Sequence, residues 1–321
     1  MLATFPISLG TLSAPRVYSA SDLCRAMLAE GAYARPLEAA CLDRTLRHDA
    51  ARGLLEVQAG ASWRSLRPYV GADFLPGSVG ESVAANRAGP DGEPVVRHLH
   101  AFTLATGAGE LHRVSRERAA DLFRLAVGGF GAFGPFYSLT LDVASLARSA
   151  ARPAAPVRIE LVADEAPRGQ STALELLVPP QRSDEVVDRT RAALAERRCC
   201  LRLLEARCVH PEAETFLRWA RSEYVALHIE FDTRATLGAC ASAAQLRTHL
   251  IDLALAAGGS FMPGSLPLAT RAQAEACYPM LGAFLAEKRR LDPAERVLSA
   301  WYRGTRRVWR AESCRVRWAK D

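Results

Sequence analysis

The chain has 321 residues, 49% hydrophobic and 24% charged, with 41 Lys and Arg against 35 Asp and Glu for a net charge of +6; this is the balance of a globular protein with room for two cores, and it excludes a disordered or low-complexity chain. The cations are arginines apart from Lys288 and Lys320, and no dense basic patch with interleaved aromatics occurs before the last twenty residues, so arginines scattered over solvated faces are expected and nucleic acid is not expected as a partner. Eight cysteines without a C-x-x-C pair or a histidine at zinc spacing predict neither a metal site nor a disulfide framework, and the absence of a signal-peptide pattern or of an apolar run near the ~20 residues of a membrane span predicts a cytoplasmic protein with no membrane partner.

In chain order, Ser21 to Glu30 reads as a helix capped by Ser19 or Ser21, with Leu23, Ala26 and Met27 on one face and Gly31 placed to end it. Leu54 to Ala59 alternates as a strand, and a short helix follows from Ser62 to about Tyr69. His98 to Thr106 is a second strand, turned by Gly107-Ala108-Gly109 into Glu110 to Val114. Ser115 is placed to cap a helix from Arg116 to Val127, and Tyr137, Leu139, Leu141 and Val143 form one face of a third strand. Ala144 to Pro156 has no consistent period and reads as a linker. Beyond it come strands at about Val157 to Val162 and Leu174 to Val178, a helix from Ser183 to Arg197, strands at Leu201 to Ala206 and Tyr224 to Phe231, and a helix from Ala243 to Ala257. That order suits an antiparallel sheet with helices on one face. A last long helix spans Arg271 to Arg289, with Cys277-Tyr278-Pro279 marking a kink.

Two glycine-bearing runs stand out. Pro76-Gly77-Ser78-Val79-Gly80-Glu81-Ser82-Val83-Ala84-Ala85-Asn86 offers exposed backbone N–H groups at the start of a small-residue helix, which suits a pyrophosphate; the alternative is a turn that only starts a packed helix. Gly128-Gly129-Phe130-Gly131-Ala132-Phe133-Gly134 offers a tight backbone path under a nucleotide, or else a helix C-cap with a sharp strand entry. His98 and His100 fall on one face of a strand without a third ligand close in sequence. Vicinal Cys199 and Cys200 read as inert strand thiols.

The order of these motifs within Gly53 to Val143 resembles the flavin-binding half of FAD-linked oxidases of the vanillyl-alcohol oxidase / p-cresol methylhydroxylase family. A second match runs from Gly258-Gly259-Ser260-Phe261 through Ala269-Thr270-Arg271 and Cys277-Tyr278-Pro279 to Ser299-Ala300-Trp301-Tyr302-Arg303. The resemblance implies an α+β protein: a PCMH-type FAD-binding domain over residues 1–146, an antiparallel-sheet substrate domain over 147–277, and a C-terminal segment, 278–321, returning to the first domain. It implies a flavin-dependent oxidoreductase acting on a small organic substrate. FAD would be held non-covalently by Gly77, Ser78, Val79, Gly80, Ser82, Val83, Asn86, Gly129, Gly131, Gly134 and Phe136; no catalytic residue and no oligomeric state is implied.

The same comparison exposes four departures. The glycine-rich loop that wraps the pyrophosphate and carries the covalent histidine has no counterpart between Gly31 and Leu42. Glu81 replaces the second glycine of SVGG and sets a carboxylate near the phosphates. Pro135-Phe136 replaces Val-Ile and removes a backbone donor. Met262 to Pro267 lacks the Tyr-His pair that faces the flavin ring, leaving no group for acid–base work. Together they predict weakened or lost flavin binding, and a flavin-free homologue with a ligand-binding, redox-neutral or partner role is the rival reading. On the flavoenzyme reading Arg35 or Arg44, the only nearby cations, should replace the loop by pointing into the cleft beside Ser78 to Ser82; the alternative is that both are surface arginines in an arginine-rich chain.

Overall fold

The computed structural model describes residues 16–28, 41–154, 156–161 and 170–311. Helix α1 (Ala20–Leu28) is capped by Ser19, whose Oγ accepts from Asp22 N at 3.1 Å. Strands β1 (Thr45–Asp49) and β2 (Leu54–Gln58) lead through a 3-10 turn (Trp63–Leu66) and α2 (Arg67–Val70) to α3 (Val79–Ala84). Strands β3 (Leu99–Ala105) and β4 (Leu111–Ser115), helix α4 (Ala120–Ala126) and strand β5 (Phe136–Asp142) complete a five-stranded antiparallel sheet of order β1-β2-β5-β3-β4. Leu55, Val57, Phe102, Leu104, Leu139 and Leu141 share one buried cluster with Trp63, Val79 and Val83.

The pairing of β3 with β5 slips between Thr103 and Leu104, where Ser138 and Phe136 are the successive partners. Tyr137 is the extra residue of this bulge. It packs with Leu23, Met27 and Val297 on the other side, whereas Phe136 joins Phe102 and Leu139. The face expected for Tyr137, Leu139 and Leu141 is broken there for that reason. The sheet's second face is polar towards its edge: Arg113 donates to Glu56 and Thr140 at 2.7 Å each, and Ser138 Oγ to Glu56 at 2.8 Å.

Three expectations in this half are corrected. Residues 143–150 are not a linker but helix α5 (Val143–Ala150), because Asp142 caps Ser145 N at 2.8 Å and Leu146 is buried on the first core. The helix after Ser115 starts only at Ala120, since Ser115 Oγ accepts from Glu117 N and Arg118 N in a turn, and Ala119 has φ 61°. His98 ends a 3-10 turn (Val95–His98) and is buried, whereas His100 on β3 is exposed, so they share no face.

The second unit contains β6 (Pro156–Leu161), β7 (Gln170–Val178), α6 (Ser183–Glu196), β8 (Cys200–Val209), β9 (Tyr224–Thr233), α7 (Leu237–Ala256) and the short β10 (Ser260–Phe261). Its sheet is antiparallel throughout, in the order β10-β7-β9-β8-β6, and α6 and α7 pack on it. The protein is therefore α+β, with two antiparallel sheets and helices. The final helix is broken rather than kinked: α8 (Arg271–Cys277) stops at Tyr278, held at φ −129° and ψ 71° before Pro279, and α9 (Leu281–Leu291) restarts. Helix α10 (Ala300–Ala311) follows.

The C-terminal segment touches both units. Val297 joins Ala105 and α1, Phe284 meets Phe133 with ring centroids 5.3 Å apart, and Trp301 Nε1 donates to Pro263 O at 2.7 Å. No described helix is long and apolar enough to cross a membrane.

Candidate functional site

The turn from Pro76 to Ser78 lies against the residues that leave β2. Trp63 N donates to Gly77 O at 3.2 Å, Val79 N to Ala61 O at 2.9 Å and Gly80 N to Ala59 O at 2.8 Å. Gly80 is required by this approach, since a Cβ there would stand 2.7 Å from the Ala59 carbonyl oxygen. Ser78 and Glu81 form a capping box: Glu81 N donates to Ser78 Oγ at 3.2 Å, and Ser78 N to the Glu81 carboxylate at 3.4 Å. Ser82 N donates to Ser78 O, and Ser82 Oγ accepts from Trp63 Nε1 at 2.9 Å. Every backbone donor from Ser78 to Ser82 thus has a partner inside the protein. The Glu81 carboxylate takes the position at the helix start that an external anion would need.

A cleft of about 560 Å³ opens beside this turn, lined by Gly60, Ser62, Arg64, Asp73 and the run Phe74 to Ser78. Its cation is Arg64. Sequence reasoning missed it, although Ala61-Ser62-Trp63-Arg64 directly follows the strand against which the turn packs. Arg44, which the flavoenzyme reading would place here, is instead the exposed surface arginine of the alternative; its backbone pairs with Gln58 (Arg44 N to Gln58 Oε1, 3.0 Å), and it is not among the residues lining the cleft. Arg35, and the stretch where the glycine-rich loop would fall, lie outside the described residues.

The second glycine run does meet the first. Gly128 N donates to Val83 O at 3.2 Å and Phe130 N to Ala84 O at 2.9 Å, joining the run to the end of α3. The glycines serve packing. A Cβ on Gly129 would collide with the Leu125 carbonyl oxygen, and one on Gly134, at φ 140°, with that of Ala105. Gly131, at φ 71°, has only Ser299 near, at 3.8 Å. Phe136 stacks edge-on against Phe102 at 4.9 Å, in the core. Val79 and Val83 are fully buried beneath the sheet.

Asn86 is fully buried at φ 46°, and its two oxygens are engaged by the protein while its Nδ2 has no partner among the described residues: Oδ1 accepts from Val96 N at 3.0 Å, and the carbonyl oxygen from Trp219 Nε1 at 3.0 Å. Trp219 belongs to the loop between β8 and β9, so Asn86 ties the two units together. The same loop donates His210 N to Gly92 O and Phe216 N to Arg124 O, both at 2.9 Å, and Arg116 pairs with Glu214. A smaller cleft of about 300 Å³ lies there, bordered by Arg97, Arg124, Glu212 and Glu214.

The stretch Met262 to Pro267, where the resemblance sets the flavin ring, is largely packed against protein, with Gly264 exposed. Phe130 stacks on Trp301 at 5.0 Å with planes 18° apart, lies 3.4 Å from where a Gly264 Cβ would be, and Trp301 is hydrogen-bonded to Pro263. Pro263 and Leu266 are buried. At these two places FAD meets groups that already have partners: the backbone donors from Ser78 to Ser82 are paired within the protein, and Phe130 and Trp301 pack over Pro263.

Among the described residues, the titratable groups with displaced pKa values line neither cleft. Burial lowers that of His98, whose Nδ1 is hydrogen-bonded with Ser145 Oγ at 2.8 Å, and pushes Tyr278 well above the usual tyrosine range. Burial, with the Glu295 carboxylate, raises Tyr302 to about 12. Among the described residues no group of His, Cys, Asp and Glu could hold a metal ion. No protein-family model matches the chain, and no curated protein matches it.

Proposed function

We propose that the chain is a flavin-free homologue of FAD-linked oxidases of the vanillyl-alcohol oxidase / p-cresol methylhydroxylase family, in which the cofactor cradle is closed by the protein's own groups and the role is non-redox, as a partner or ligand-binding chain. One observation carries this reading. The Ser78–Glu81 capping box, with the ties to Ala59 and Ala61, engages every backbone donor from Ser78 to Ser82 within the protein. Charge-assisted hydrogen bonds to phosphate contribute ~1.5–3 kcal/mol each. Here each would first have to displace an existing partner, and the Glu81 charge would repel the ligand. The aromatic filling at Phe130 and Trp301 supports the same reading from the other end of the cofactor.

The rival, a FAD-dependent oxidoreductase acting on a small organic molecule, draws support from the meeting of the two glycine runs and from Arg64 in the adjoining cleft. Flavin content separates the two. Protein purified without added cofactor is expected to show no flavin absorbance and to take up no stoichiometric FAD on titration. One FAD retained per chain would overturn the flavin-free reading.

A further inference from the structure

The net charge of this chain is not scattered. Residues 281–321 carry eleven Lys and Arg against five Asp and Glu, which is +6; residues 1–280 carry thirty of each and are neutral. The whole excess of the molecule therefore belongs to the C-terminal segment, contrary to the even spread of arginines that composition suggested. Its acids are largely engaged inside the segment. Asp292 pairs with buried Lys288, Glu295 with Arg306 and the Tyr302 hydroxyl, and Glu287 with Arg290.

Helices α9 and α10 form a hairpin: Lys288 lies 5.4 Å from the Tyr302 ring, and Trp309 stands 3.0 Å from where a Gly282 Cβ would be. The apolar stripe of α10 faces inward, with Trp301, Tyr302 and Thr305 buried. Arg303, Arg307 and Arg310, at i, i+4 and i+7, form the opposite face, and Arg296 and Arg289 are exposed nearby in the chain. Leu291 and Met280 are exposed on the same hairpin, at 43% and 50%.

We infer that this outer face of the α9–α10 hairpin is a docking surface for an acidic protein surface; the inference rests on the partner-chain reading above. Guanidinium groups grip carboxylates in two-point fashion, and Arg is enriched at protein interfaces. A membrane is disfavoured because the stripe that would insert is already packed inside the protein. Single-stranded nucleic acid is disfavoured on this face because the tryptophans of α10 that would stack on bases are taken, Trp301 by Phe130 and Trp309 by Arg271, whose guanidinium lies 4.9 Å from its ring centre. A second copy of this face would meet like charge.

The test uses the full chain with three probes: a labelled oligo-glutamate peptide, an oligo-uridylate of equal length, and vesicles containing phosphatidylserine. Binding is followed by anisotropy for the peptide and the oligonucleotide and by co-sedimentation for the vesicles. The peptide is expected to bind in a salt-sensitive manner, more tightly than the oligo-uridylate at physiological salt, and at least tenfold more weakly to an Arg303→Glu/Arg307→Glu variant that melts at the unaltered temperature. A second, milder variant, Arg303→Gln/Arg307→Gln, is expected to fall between the two and covers the case in which charge reversal impairs folding. Peptide binding that neither variant weakens, tighter binding of the oligo-uridylate, or sedimentation with the vesicles would each overturn the proposal. The absorbance spectrum of the same preparation reports the flavin question separately, so failure of one reading is not mistaken for failure of the other.

Discussion

Gly131 and Gly134 belong to one run, and sequence alone assigned them one role. Their surroundings separate them. At Gly134 the backbone holds φ 140° and a Cβ would overlap the Ala105 carbonyl oxygen of the neighbouring strand. Neither atom can yield without breaking the bond from Ala105 N to Pro135 O, which is 3.0 Å long. At Gly131 a Cβ has space, and only the φ of 71° resists substitution. Gly134→Ala is therefore expected to cost about 4 kcal/mol or to prevent folding, and Gly131→Ala about 1 kcal/mol. Urea unfolding checks both, and equal small effects would show that the run does not serve packing as described. Asn86 and Glu81 teach the same lesson. Residue type and order could show that polar groups gather near a backbone turn. They could not show that Val96, Trp219 and Ser78 already use them, because those partners come from other elements or depend on a side-chain rotamer.

Among the elements, the ones read correctly were those with a clear period and a buried face: β2, β3, β9 and α6 lie close to their expected bounds, whereas β7 begins at Gln170 rather than Leu174 and α7 at Leu237 rather than Ala243. Of those missed, β1 has neither, and α10 masks the face it buries. Strand β1 is exposed along nearly its whole length and shows no alternation. Helix α10 has Gly304 near its centre, packed against Pro267, and four arginines, so its short apolar stripe was hidden. Pro279 divides α8 from α9 because Tyr278 must leave the helical region ahead of it. The turn from α9 into α10 depends on one buried pair. Lys288 is fully buried, and burial lowers its pKa even though the Asp292 carboxylate beside it holds the proton on. Asp292 also accepts from Arg296 N and Val297 N, which seats Val297 against α1. Removing one member of such a pair strands the other, so Lys288→Met is expected to destabilise the protein by about 3 kcal/mol. The double change Lys288→Met/Asp292→Asn should recover part of that loss in a double-mutant cycle on thermal or urea unfolding. Full additivity of the two single changes would show that the pair is not coupled.

At the scale of the whole molecule, two sheets suggest two independent folding units, yet the cores do not separate. Leu125, Ala132 and Phe133 from the first unit lie in the same buried cluster as Leu174, Leu227, Phe284 and Trp301. The seam is reinforced by the loop between β8 and β9, through Trp219 on Asn86, His210 on Gly92 and Arg116 on Glu214. The change of sequence pattern after Val143 carried no trace of these ties, since they join residues about a hundred or more positions apart. One cooperative unfolding transition follows from such a seam, with far-UV circular dichroism and tryptophan fluorescence sharing a midpoint. The probes are well placed: Trp63 reports the first core, while Trp219 and Trp301 report the seam. Truncating Trp219 to Ala removes a buried indole and its bond to Asn86, a loss of about 3–5 kcal/mol, and is expected to draw the two signals apart by loosening the seam before either sheet melts. Excess FAD should leave the wild-type midpoint unmoved, because a ligand raises it only by binding the folded form. Separate midpoints in the wild-type protein would mean that the sheets fold independently, and a rise with FAD would mean that the cradle at Ser78 opens after all.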